Sequence, residues 1–200
     1  MLSDLFIENV AVILSLIHIL FIHPYEGDQI RFQKMAPGTL SEDDRMRYLM
    51  RDGNLTIQYR KPYFFGFSNI QSPHKELQIE VPMDMDDDLV LDRLNIESAS
   101  ADITVEDLNC RNLLVPSTSG IVSLQGMDCD RTEAATVSGR LRLSIPDNTG
   151  FTVKADSISG QFDCDFATTG EEGVYRYGNG AAMFSPESSI SGGIHLLQTN

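Results

Sequence analysis

The sequence predicts an all-β protein built as a single-stranded, right-handed β-solenoid, with rungs of about nineteen residues and β-hairpin excursions. Three observations predict it. A Ser-x-Ser-Gly motif returns along residues 94–197, two apolar positions follow each copy at fixed offsets, and apolar side chains between copies alternate with period two.

The second serine of the motif falls at Ser100, Ser119, Ser138, Ser159 and Ser191, with spacings of 19, 19, 21 and 32 residues. A small residue follows each time: Ala101, Gly120, Gly139, Gly160 and Gly192. Three places beyond the serines stand Ile103, Val122, Leu141, Phe162 and Ile194, and five places beyond stand Val105, Leu124, Leu143, Cys164 and Leu196. Period-two alternation marks a strand with one buried face. A unit this short cannot bury its apolar face alone, so the units stack. Glycine after serine is expected to supply a φ that the corner needs. Apolar parity flips three times per repeat, with inward positions returning to even offsets at Leu108/Cys110 and Met127/Cys129, which suggests a three-sided cross-section. Right-handedness follows the rule for parallel crossovers.

Upstream, Ile30 and Phe32 alternate with polar neighbours. Tyr48-x-Met50 and Leu55-x-Ile57-x-Tyr59 flank Asp52-Gly53, a strong hairpin signal. An aromatic loop from Lys61 to Pro73 precedes the strand Leu77-x-Ile79-x-Val81, which Pro82 stops. Asn54-Leu55-Thr56 has the form of a glycosylation acceptor, but its place beside the turn reads as turn chemistry. The 32-residue spacing is expected to hold a hairpin before a last rung at Ile190 to Leu197.

One domain is assigned, the solenoid of residues 23–200, preceded by an uncertain N-terminal segment, residues 1–22. Val10 to Ile22 is apolar except at Ser15 and His18. As a helix it would reach about 20 Å, short of the roughly 30 Å hydrocarbon layer. The first basic residue is Arg31, so no positive region precedes the run. Leu5 to Ala11 echoes Leu94 to Ser100, as if it were a damaged earlier rung, and Leu14 to Ile19 resembles a translated transposon end of sequencing libraries. Residues 1–22 therefore stay open to three readings: an assembly artefact, a membrane or signal segment, or a buried strand.

Lys and Arg number 15 against 29 Asp and Glu, for a net charge of −14. That balance argues against a nucleic-acid partner, whose phosphates need clustered basic residues. Cys110, Cys129 and Cys164 are too few for a disulfide scaffold and lack metal spacing. Cys110 and Cys129 are expected to stack as buried free thiols. The acidic run Asp84 to Asp88 lacks an EF-hand pattern and reads as a solvated turn. His18, His23, His74 and His195 sit in unrelated contexts, with His195 outward. Asp102, Glu106, Asp163 and Asp165 are outward carboxylates that would matter only if they converged. Stacked Ser98, Ser117 and Ser157 are expected to hydrogen-bond one another. No catalytic, cofactor-binding or metal-binding residue is assigned, and no cofactor is expected.

The Ser-x-Ser-Gly rungs, Gly53-Asn54-Leu55-Thr56-Ile57, Ile79-Glu80-Val81-Pro82 and Tyr177-Gly178-Asn179-Gly180 together resemble the bacterial putative-adhesin domain, family of unknown function 4097. The resemblance runs from about Ile30 to Thr199. It implies a β-solenoid that commonly follows a membrane helix at the bacterial envelope, with no catalytic residues to carry over. The expected function is a non-enzymatic envelope scaffold for binding or adhesion, with a protein or glycan as ligand. The alternatives are a sensing module of the envelope-stress response that contacts a membrane partner, and a polysaccharide-acting enzyme. Localisation is expected to be extracytoplasmic or membrane-associated, with any anchor lying outside this sequence.

Overall fold

A computed structural model describes residues 7, 9–14, 17–27, 29–37, 46–59, 74–82, 91–146, 150–154, 161–171, 174–180, 182–185 and 193–199. Among them the regular elements are all strands. The N-terminal apolar run gives β1 (Asn9–Leu14) and β2 (Ile19–Tyr25). Next come β3 (Arg31–Met35), β4 (Met46–Arg51), β5 (Asn54–Tyr59) and β6 (Glu76–Pro82). The repeat region supplies β7 (Leu91–Ser98), β8 (Asp102–Glu106), β9 (Asn109–Ser117), β10 (Ile121–Gln125), β11 (Asp128–Thr136) and β12 (Arg140–Pro146). The chain ends through β13 (Gly150–Lys154), β14 (Phe162–Cys164), β15 (Thr169–Glu171), β16 (Val174–Gly178), β17 (Ala182–Ser185) and β18 (Ile194–Thr199). Asp84 to Asp88, Ser157, Ser159, Gly160, Ser191, Gly192 and the aromatic loop lie outside the described residues.

These strands form two sheets. Sheet A has ten in the order β15-β16-β13-β17-β11-β9-β7-β1-β5-β4, and sheet B has eight in the order β14-β18-β12-β10-β8-β2-β6-β3. From β7 to β12 the chain visits the sheets alternately, and each strand pairs in parallel with the one a repeat earlier. One strand of each sheet thus makes a layer, and layers lie about 4.8 Å apart. Between the sheets, like residues stack in columns. Ile57, Val12, Ile96, Val115 and Ala134 form one in sheet A, and Leu77, Leu20, Ile103, Val122, Leu141, Ile194 and Phe162 form one in sheet B. All but the half-buried Phe162 are buried. At about 1.5–3 kcal/mol for each large apolar side chain, these columns supply most of the drive to fold.

Stack order departs from chain order at both ends. β1 lies between β5 and β7, and β2 lies between β6 and β8, all in parallel. β18 lies between β12 and β14, so the rung expected last sits inside the stack. β2 also runs through the 22/23 boundary drawn from sequence. The echo of Leu94 to Ser100 shifts by five residues: Val10, not Leu5, pairs with Leu94, and Val12 pairs with Ile96. Apolar alternation fits either frame. Pairing with β5 and β7 selects the frame that buries Val10, Val12 and Leu14.

The three-sided cross-section is corrected to two sheets among the described residues. The last parity flip falls inside β9, where Cys110 and then Leu113 point inward, and the β9–β11 ladder skips Arg111 and Asp130. A bend within one long strand absorbs the odd residue that a third corner would have taken. The real second corner, from sheet B to sheet A, is the left-handed residue Asp107 (φ 48°) or Gly126 (φ 59°).

Hairpins close the ends of the stack. β4 and β5 pair antiparallel across Asp52 and Gly53, both at positive φ as a type I′ turn requires. Asn54 Nδ2 donates to Asp52 O at 2.7 Å, which is turn chemistry. β3 covers β6, and β15 and β16 cover β13, also antiparallel. The hairpin expected within the 32-residue spacing is β15–β16. Rings pack this far end: Phe151 meets Phe166 edge-on at 4.8 Å, and Phe162 stacks on Tyr175 at 4.4 Å.

One residue breaks its column. Thr132 takes the place of Leu113, Leu94, Val10 and Leu55, and its buried Oγ1 has no hydrogen-bond partner among the described residues. It borders a void of about 10 Å³ beside Leu124, Met127 and Leu143, at the lower limit for one water. Thr132→Val should therefore stabilise the protein by about 1 kcal/mol. A thermal melt should show Tm up by roughly 2–4 °C. A lower Tm would mean that the hydroxyl is satisfied.

Candidate functional site

The serine corners are built for stacking. The first serine is buried and turns to its own corner: Ala101 N donates to Ser98 Oγ at 2.9 Å, and Ser117 Oγ donates to Ser119 O at 2.9 Å. Thr136 substitutes for it, accepting from Gly139 N at 2.8 Å. The expected serine-to-serine ladder is thus replaced by bonds to local backbone, because the tight turn presents its own N–H and C=O groups first. Among the second serines, Ser119 donates to Ala99 O at 3.1 Å and Ser138 donates to Thr118 O at 3.4 Å, each on the layer before, while Ser100 is exposed.

The small residue has two causes. Gly120 has φ +102°, and a Cβ there would stand 2.4 Å from Ala101 O. At Gly139 only the close approach operates, with Gly120 O at 2.2 Å from a Cβ. Ala101 fits with its methyl fully buried. Ile103, Val122, Leu141, Ile194 and Phe162 line up in one inward column.

Of the four outward carboxylates, two lie on β8 and two on or just after β14, four strand spacings away, about 19 Å. The two pairs therefore do not converge on each other. Asp102 accepts from Ile121 N at 2.8 Å and Asp163 from Gln161 Nε2 at 2.8 Å, so both serve local structure. His195 lies outward, 4.0 Å from Asp165. Among the described residues, no cluster of three or more His, Cys, Asp or Glu could hold a metal.

Cys110 and Cys129 are register partners and free thiols. Their mutual hydrogen bond, with burial second, pushes the Cys110 thiol far above the ordinary range, and burial also raises Cys164. Native protein should leave Cys110 and Cys129 untouched by a thiol reagent that labels unfolded chains fully. A raised folded pKa gives stability that is present below the unfolded value, roughly pH 8.5, and is lost as pH rises past it. Tm should fall between pH 7.5 and 10, and fall less in Cys110→Ala. Equal slopes would refute the assignment.

Two outward faces have the shape of binding surfaces. On sheet A, beside the serine corners, an open groove of about 540 Å³ is lined by Ile13, Glu97, Pro116, Ala135 and Val137. On sheet B, three successive outward positions of β2 carry rings: Phe21, His23 and Tyr25. Phe21 and His23 stack at 4.7 Å, and the Arg31 guanidinium lies 4.4 Å over the Tyr25 ring. The neighbouring β6 and β3 contribute Gln78, Glu80, Gln33 and Arg31, opposite one another in register. His23 Nδ1 lies 3.0 Å from Pro24 O, and His23 Nε2 lies 2.7 Å from Gln78 Nε2. A proton on Nδ1 would be donated to Pro24 O and would leave Nε2 to accept from the Gln78 amide, and Glu80 Oε1 lies 3.9 Å from the same Nε2. Sequence reading missed this site because the 22/23 boundary cut its period-two signal, leaving Phe21 in the uncertain N-terminal segment and His23 and Tyr25 beyond it. The alternation Phe21-x-His23-x-Tyr25 opposite Gln78-x-Glu80 was the available cue.

Stacked parallel layers with inward apolar columns define the fold class as all-β and layered. The chain belongs to the family described as Toastrack DUF4097, whose model matches residues 17–142. A comparison with curated proteins finds no match. Among solved structures, a putative cell adhesion protein from Clostridium sporogenes shares the fold at 15% identity, with a TM-score of 0.74 over 96% of this chain and 94% of that one. A putative adhesin from Bacteroides fragilis is 10% identical, with a TM-score of 0.40 over 96% of this chain and 93% of that one.

Proposed function

We propose that the chain is a non-enzymatic scaffold, one right-handed β-solenoid with layers of about nineteen residues, whose outward faces bind ligands at the bacterial cell envelope. The ring row on sheet B carries this reading. Phe21, His23 and Tyr25 point away from the core, where an isolated stack gains nothing from large rings. The fold shared with a putative cell adhesion protein of Clostridium sporogenes and the family resemblance support an extracytoplasmic or membrane-associated site of action. A second reading, a sensing module of the envelope-stress response docking on a membrane protein, draws on the apolar groove of sheet A.

The experiment is saturable binding of the fluorescently labelled chain to intact bacterial and host-cell surfaces, read by flow cytometry. Saturable binding that unlabelled protein displaces is expected. Linear uptake on all surfaces would overturn the proposal. Binding that survives changes on sheet B but is lost with Ile13→Glu would favour the groove and the second reading.

A further inference from the structure

We infer that the outward face of β2, β6 and β3 is a subsite for a neutral glycan. This deepens the binding reading above and rests on it. The rings offer apolar surface to the C–H face of a pyranose, as aromatic side chains do in ligand sites. Around them stand planar amides and a carboxylate, which match neighbouring hydroxyls: Gln78, Gln33 and Glu80. One N–H of the Gln78 amide faces His23 Nε2, which leaves the second N–H and Oε1 for an incoming hydroxyl. Because His23 also stacks on Phe21, the wall of the site is set before any ligand arrives.

Depth and charge narrow the class. Beside the ring row, and lined by β3 and β6 rather than by the rings of β2, lies a cleft of about 240 Å³ between Arg31, Phe32, Gln33, Gln78 and Glu80, below the roughly 300–1,000 Å³ of pockets for drug-sized molecules and of a size for one sugar residue next to the rings. Extended peptides add to a sheet edge, but β2 and β6 each have strands on both sides, so only side chains read the ligand here. Glu80 lies in the cleft, Glu106 lies on the strand beside His23, and the chain carries a net charge of −14. Arg31, the basic residue of the cleft, is placed over Tyr25. That balance disfavours polyanions, both nucleic acids and uronic-acid or sialylated glycans.

The test is saturation-transfer NMR on the full chain with tetrasaccharides of N-acetylglucosamine, glucose and mannose, and with a uronic-acid tetrasaccharide as the anionic probe. At least one neutral probe is expected to show transfer at its ring C–H protons, with the anionic probe silent. Phe21→Ala and Gln78→Ala, outward changes checked for unaltered melting, should each weaken binding about tenfold or more. No transfer from any neutral probe, preference for the anionic probe, or binding unaltered in both folded variants would each overturn the inference. Cell-surface binding that persists in both variants would leave the scaffold reading standing while this subsite fails.

Discussion

Deleting residues 1–25 should abolish the fold, although the repeat that announces it begins some seventy residues later. The deletion removes a layer from inside the stack and takes away Val10, Val12, Leu14, Ile17, Leu20 and Ile22, all buried. At about 1.5–3 kcal/mol each, their loss is roughly 9–18 kcal/mol, which matches or exceeds the 5–15 kcal/mol stability of an ordinary domain. β5 and β6 would also lose their parallel partners. Far-UV circular dichroism and a thermal melt of the truncated chain should show no cooperative transition. A truncated protein that melts near the parent Tm would disprove the placement of β1 and β2. Leu20→Ala offers a milder form, expected to cost about 2–5 kcal/mol as a large-to-small change at a fully buried site.

Gly120→Ala is the second large effect. At φ +102° an alanine is strained, and its Cβ would also meet the backbone oxygen of Ala101 at 2.4 Å. Backbone strain of this kind costs about 1–3 kcal/mol, and relieving the clash requires prying two layers apart at a corner where Thr118 N, Ser119 N and Arg140 N all bond across layers. A loss of about 2–4 kcal/mol is expected, or roughly 4–16 °C in Tm. Gly139→Ala isolates the close approach without the positive φ. Gly120→Ala that melts within a degree or two of the parent would remove the corner argument, and Ala101→Gly, expected to cost about 1 kcal/mol, calibrates it.

Ile103, Val122 and Leu141 could be placed in one column from sequence because equal spacing and equal parity fix neighbouring parallel strands. The hairpin at Asp52-Gly53 was legible because a type I′ turn demands those residue types. The position of Ile194 was not legible. Nothing local distinguishes a strand that stacks on β12 and receives β14 from one that simply comes last, since both bury Ile194 and Leu196 alike. The frame of β1 failed for a related reason. Leu5, Ile7 and Glu8 match Leu94, Ile96 and Glu97 by identity, but letter identity does not set a register, and the long-range partners Leu55 and Leu94 decide. The third face was misread because a bend inside β9 and a corner between strands both consume one odd residue. At the candidate site, the rings on β2 were visible as letters, but their neighbours Gln78 and Glu80 lie more than fifty residues on and meet them only through the β2–β6 register.

Interleaving also decides how the molecule carries tension. A stacked array whose outermost units are also its first and last can be peeled one unit at a time, each release costing one interface. Here β1 is gripped by β5 and β7, and β18 by β12 and β14. A pull entering through either strand must shear two ladders together before anything unravels. The hairpins that cover the outer layers lie off the load path. Stretching between residues near Asn9 and Thr199 should therefore give one high rupture event rather than a staircase.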